Sequence, residues 1–121
     1  MQQRTAIARA LVGQPEILLM DEPFGSVDAQ TRFELQDTTL DLMARTGMTV
    51  LFVTHDIEEA IYMSSRILVL GGKPSSIADD IGISLASPRD QLTTRADKRF
   101  LEYRERIYPQ IRSTAQRSRL E

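Results

Sequence analysis

The chain has 121 residues, 41% of them hydrophobic and 26% charged, which fits one small domain or a piece of a larger one and excludes wholesale disorder. Fifteen Lys and Arg against 17 Asp and Glu give a net charge of −2, so no overall basic excess argues for nucleic acid, and the absence of Cys removes disulfides, thiolate metal sites and cysteine nucleophiles. The charge is uneven, with four Arg against ten acids over residues 1–60 and eleven Lys or Arg against seven acids over residues 61–121, which the plainest reading assigns to a solvated basic helix.

Residues 2–12 read as a helix, because Ile7, Ala10 and Leu11 recur at helical spacing and Gly13 with the Gln14-Pro15 step stops it. After Glu16, Ile17 to Met20 is a short continuous apolar run of the kind that buried parallel strands use, broken by Asp21-Glu22-Pro23-Phe24-Gly25. Asp28 can cap a helix over 29–45, with Leu35, Leu42 and Met43 as its apolar stripe and Gly47 as its close. Thr49 to Val53 is β-branched and apolar, a second buried strand, followed by Thr54-His55-Asp56 and a short helix over 57–63 that Asp56 can cap. A third strand over 66–70 ends at Gly71-Gly72, and the alternation of helices and strands predicts a parallel sheet with helices on its faces. Beyond Lys73 the pattern weakens to strand-like pieces at 76–78 and 81–85 and a turn at Ser87-Pro88-Arg89-Asp90. A basic helix over 95–115 follows, carrying Phe100, Tyr103, Ile107 and Ile111 on one side, and Pro109 should kink or end it. Apolar runs such as Ile17 to Met20 and Val50 to Val53 are far short of the ~20 residues of a membrane helix. The N-terminus has no apolar core of a signal peptide.

In open parallel sheets the functional residues sit just past the carboxyl ends of strands. Asp21-Glu22 follows the first strand and His55, the only histidine, follows the second, so neighbouring strands would bring them to one sheet edge. A carboxylate at a strand end can cap a helix or accept loop amides. Two adjacent carboxylates, however, repel unless a cation or a proton lies between them. A hard cation such as Mg²⁺ on Asp21 would resolve this, leaving Glu22 to polarise an attacking water as general base. His55 is either an ordinary satisfied loop residue or an imidazole that hydrogen-bonds a phosphate oxygen or the attacking water.

These residues resemble the nucleotide-binding subunit of ATP-binding cassette (ABC) transporters. Ile17-Leu18-Leu19-Met20-Asp21-Glu22-Pro23 resembles its Walker B strand with the catalytic Glu, and Gly25-Ser26-Val27-Asp28 its D-loop. Val53-Thr54-His55-Asp56 resembles its switch-histidine loop, and Gln2-Gln3-Arg4 with the following Ala6 to Leu11 the helix after its signature motif. The resemblance covers residues 1–72 and implies an α/β fold, a partial P-loop NTPase-type parallel sheet flanked by helices, with 73–121 as a C-terminal extension of short strands and a basic helix. By resemblance Asp21 would hold Mg²⁺, Glu22 would activate water and His55 would touch the γ-phosphate. Ser26 and Asp28 would lie at a dimer interface. Met1 and Gln2 would be the remnant of the signature motif facing the ATP of a second ATP-binding subunit in a head-to-tail dimer. The implied partners are that second subunit, a transmembrane permease subunit and a periplasmic or extracellular solute-binding protein, with no nucleic acid. The implied place is the cytoplasmic face of the cell membrane. Glu34-Leu35-Gln36, Asp56-Ile57-Glu58-Glu59-Ala60 and the tail to Ile111 look most like importers of the nitrate, sulfonate and taurine group.

The chain also departs from the family's pattern. No P-loop, G-x-x-x-x-G-K-[ST], occurs in the 121 residues, and the Gln loop is missing too. The expectation is therefore the C-terminal half of a subunit, beginning inside the signature motif and inactive towards ATP by itself. One alternative is a catalytically inactive remnant acting as an interaction module. Another is a phosphoacceptor receiver domain using Asp21, Thr54 and Lys73-Pro74. The latter fails on the upstream acidic pair, because residues 1–15 contain no acid.

Overall fold

The computed structural model of the chain describes residues 17–72 and 76–120, with side chains up to Arg112. The helix expected over 2–12, and with it Met1 and Gln2, lies outside the described residues, as does Lys73-Pro74. The chain gathers into two compact units that divide between His55 and Asp56.

The first unit is a βαβ arrangement. Strand β1 (Ile17–Asp21) pairs in parallel with β2 (Thr49–Val53), from Ile17 opposite Thr49 to Asp21 opposite Val53. Helix α1 (Ala29–Thr46) makes the connection. It starts where expected because the Asp28 carboxylate accepts the free amide of Thr31 at 2.7 Å. It stops at Gly47, whose φ of 67° is left-handed and lets its amide reach the Met43 carbonyl at 2.9 Å. The buried face of α1 is Leu35, Gln36 and Thr39, with Leu42 and Met43 half-buried, so two polar residues share a stripe that sequence assigned to aliphatics alone. Thr39 meets its burial by donating to the Leu35 carbonyl at 2.7 Å.

The two strands are not buried on both faces, which corrects the sequence reading. Period-two alternation puts Ile17, Leu19, Leu51 and Val53 on one face, 43–69% exposed. Leu18, Met20, Val50 and Phe52 take the other face, where Met20 is buried and the rest half-buried. Continuous apolarity marks a strand suited to cover on both sides, but it does not say that this chain supplies both covers.

The second unit holds α2 (Ile57–Met63), β3 (Arg66–Gly71), β4 (Ser76–Gly82), α3 (Thr93–Ala96) and α4 (Lys98–Leu120). Asp56 caps α2 by accepting from the Glu59 amide at 3.1 Å, as expected. The third strand departs from expectation: among the described residues β3 joins no parallel sheet but pairs antiparallel with β4, Arg66 opposite Gly82. The two strand-like pieces read at 76–78 and 81–85 are the single strand β4. Its neighbour is decided by chain length: four residues, 72–75, separate β3 from β4, too few for the crossover helix that a parallel partner needs. The hairpin packs against α4, with Val69, Ile81, Ile83, Phe100 and Ile107 buried. The Arg89 guanidinium gathers the carbonyls of Tyr62, Ser64, Leu85 and Ala86 at 2.6–3.2 Å, closing the end of α2 onto the loop after β4. Burial pulls that guanidinium's pKa below its ordinary value.

The basic helix is real but differently bounded. A short turn, α3, precedes it, and the helix proper begins after Asp97 and runs through Pro109 to Leu120 without ending there. Pro109 and Glu105 are both exposed, so the carbonyl that loses its amide donor lies where water can serve it. The buried pair Phe100 and Ile107, two turns apart, holds the helix on the hairpin. No helix among the described residues is long and apolar enough to cross a membrane.

Candidate functional site

The parallel register of β1 and β2 builds the site. Because Asp21 stands opposite Val53, the residues that follow each strand, Glu22 and Thr54-His55, leave the sheet at the same edge. Glu22 extends the ladder by one bond, its amide donating to the Val53 carbonyl at 2.8 Å, and then turns sharply with φ of 47°. That left-handed conformation is uncommon for a long side chain and is held only where the surroundings impose it.

The turn throws the Glu22 carboxylate towards His55. Oε1 accepts the His55 backbone amide at 3.0 Å and lies 2.6 Å from the His55 ring Nδ1. With the Glu22 carboxylate as acceptor, this contact corresponds to the tautomer that carries its hydrogen on Nδ1 and leaves Nε2 for other partners. The His55 side chain is 88% exposed and that of Glu22 38%, so the pair is open to solvent at the sheet edge. Oε1 carries both bonds, which leaves Oε2 as the oxygen able to take a proton from a water.

Asp21 is exposed at the end of β1, one residue before this pair and on the exposed face of the sheet. The three residues expected at a sheet edge are therefore brought together, Glu22 and His55 in direct contact and Asp21 beside them. Among the described residues no group of three His, Asp or Glu side chains converges as a closed metal site. An open single-carboxylate position suits Mg²⁺, which usually takes one or two protein carboxylates and completes its shell with waters and phosphates. Glu22 is already engaged by His55, so Asp21 is the carboxylate available to a cation.

The remaining candidates sit on the loop after β1. Ser26 is exposed in the turn. Asp28 uses its carboxylate to cap α1, and the hydrogen bond from the Thr31 amide lowers its pKa below the ordinary aspartate value. Met1 and Gln2 lie outside the described residues.

Two residues of this loop system escaped the sequence reading. Phe24, one of only four phenylalanines, is 1% exposed in an otherwise polar turn, its ring 5.7 Å from that of Phe52. Arg32, one turn into α1, donates from Nη2 to the Phe24 carbonyl at 2.8 Å. A lone aromatic inside Asp-Glu-Pro-Phe-Gly-Ser was the available signal for Phe24, and nothing local pointed to Arg32.

The chain matches no protein-family model. Among curated proteins it is 52% identical over 91 residues to the aliphatic sulfonates import ATP-binding protein of Pseudomonas syringae, an overlap covering 75% of this chain and 38% of that protein. It is 50% identical over 107 residues to an ABC transporter ATP-binding protein of Methanocaldococcus jannaschii, covering 88% of this chain and 39% of the relative. A second aliphatic sulfonates import ATP-binding protein, from Xanthomonas axonopodis, is 53% identical over 89 residues, 74% of this chain and 35% of its own length. The chain thus spans about two fifths of the length of the curated relatives it matches.

Proposed function

We propose, from the premise that this chain is a homologue of ABC transporter ATP-binding proteins, that its sheet edge is the hydrolytic end of an ATP site in an importer subunit. The Glu22–His55 contact beside Asp21 carries the reading. Glu22 is the general base: its free Oε2 takes a proton from the attacking water while Oε1 stays tied to His55. His55 is oriented by Glu22 so that Nε2 addresses the transferring phosphoryl group. Asp21 would hold Mg²⁺, which when bound supplies charge neutralisation to a loose phosphoryl transition state. The P-loop motif, G-x-x-x-x-G-K-[ST], does not occur in the 121 residues.

The substrate of the assembled importer would be a nitrate-, sulfonate- or taurine-like anion, and the sulfonate member of that group is in keeping with the names of two of the relatives. The assembly would comprise a second ATP-binding subunit docked head-to-tail, with Ser26 and Asp28 at the contact. A membrane permease on whose cytoplasmic face the subunit sits and a solute-binding protein would complete it. The test is Glu22→Gln in the complete subunit. It should keep ATP binding and lose turnover by at least roughly 10²- to 10⁴-fold, since Gln keeps the shape but takes no proton. His55→Ala should slow turnover with ATP still bound, and Asp21→Asn should raise the Mg²⁺ requirement. A Glu22→Gln subunit hydrolysing ATP within a few-fold of the parent would remove Glu22 as the base.

A further inference from the structure

We infer that Arg32 is a positioning residue for the Glu22–His55 pair, acting through the carbonyl of Phe24; the inference rests on the reading of that pair as the working site. Glu22 holds a φ of 47°, which is unfavourable for a side chain of its kind. It stays there only if the chain is anchored on both sides. On the strand side the anchor is the β1–β2 ladder and the bond from the Glu22 amide to Val53. On the other side the chain must be fixed within residues 23–27, and the backbone bonds there are long: Gly25 to the Glu22 carbonyl at 3.3 Å and Val27 to the Phe24 carbonyl at 3.5 Å.

A short bond on that side comes from Arg32. Its Nη2 meets the Phe24 carbonyl at 2.8 Å in a half-buried setting. The donor is well mounted, because the Arg32 amide closes the first turn of α1 on the Asp28 carbonyl at 2.9 Å and Asp28 caps that same turn. The guanidinium therefore ties the turn to a rigid helix end at the residue whose ring is buried against Phe52. Fixing Phe24 fixes where Pro23 begins, and with it the left-handed Glu22 that aims its carboxylate at His55.

The chain contains a single histidine, so ¹⁵N-histidine labelling reports on His55 without ambiguity. Solid-state ¹⁵N spectra of the full 121-residue chain should show a strongly hydrogen-bonded Nδ1–H, abolished in Glu22→Ala. Arg32→Met keeps the packing stem and removes the donor, and Arg32→Gln keeps a polar side chain too short to reach. Both should lose the parental Nδ1 signature, and Arg32→Lys should restore it. Leu35→Ala, which weakens the same helix from its buried face, should leave the signature in place. A parental His55 spectrum in either folded Arg32 variant overturns the proposal, as does an equal loss in Leu35→Ala. If Glu22→Ala itself leaves the His55 spectrum unchanged, the pair and the functional reading built on it fall as well, whereas inert Arg32 variants beside a responsive Glu22→Ala remove only the role of Arg32.

Discussion

The left-handed backbone at Glu22 predicts an unusual ordering of two substitutions. Glu22→Ala and Glu22→Gly both delete the carboxylate and its bonds to His55, so their difference isolates the backbone. At φ of 47° a Cβ costs about 1–2 kcal/mol, which Ala retains and Gly escapes. Gly gives back roughly 0.5–1 kcal/mol through the greater freedom of its unfolded chain. The Gly variant should therefore be the more stable by about 0.5–1 kcal/mol, a difference of roughly 2–5 °C in melting temperature for a domain of this size. Elsewhere in a strand or turn with ordinary φ the order would be reversed. Thermal or urea unfolding of the two variants under identical conditions measures it. An Ala variant as stable as the Gly variant, or more so, would show that Glu22 stores no backbone strain, and the anchoring attributed to its neighbours would lose its purpose.

Asp79 should set an acid limb to stability. Fork hydrogen bonds from Arg106, joined by Gln110, hold its carboxyl at about 2, below the ordinary 3.8. A depressed folded-state pKa stabilises above the unfolded value and is lost as pH falls, so the tie between β4 and α4 should weaken between pH 3.8 and about 2. Hydrogen exchange of α4 amides across that range should show the loosening, and Asp79→Asn should flatten it; an unchanged acid limb in the variant would exclude Asp79 as its source. The exposed face of Ile17, Leu19, Leu51 and Val53 should drive self-association of the 121-residue chain. Leu19→Lys with Leu51→Glu should lower the sedimentation-average mass without lowering the melting temperature, and an unchanged mass would place the sticky surface elsewhere.

Local chemistry was legible directly in the residues. Asp28, Gly47 and Asp56 begin or end their helices as read, because a cap is decided by neighbours three or four residues away. The apolar run over 49–53 is a strand for the same reason. The candidates Asp21, Glu22 and His55 could be named from their places after apolar runs, on the condition that the two strands are neighbours. Only the fold met that condition, by pairing Asp21 with Val53 and bringing Glu22 onto a ring 33 residues away. The partner of β3, the one-sided cover of β1 and β2, and the passage of α4 through Pro109 were likewise undecidable along the chain. Each depends on which surface lies opposite, and residues carry no local mark of that. The same holds for Arg32 and Phe24: an arginine in a helix and a phenylalanine in a turn acquire their meaning only when the helix end is folded back over the turn, because a hydrogen bond depends on distance and direction in space.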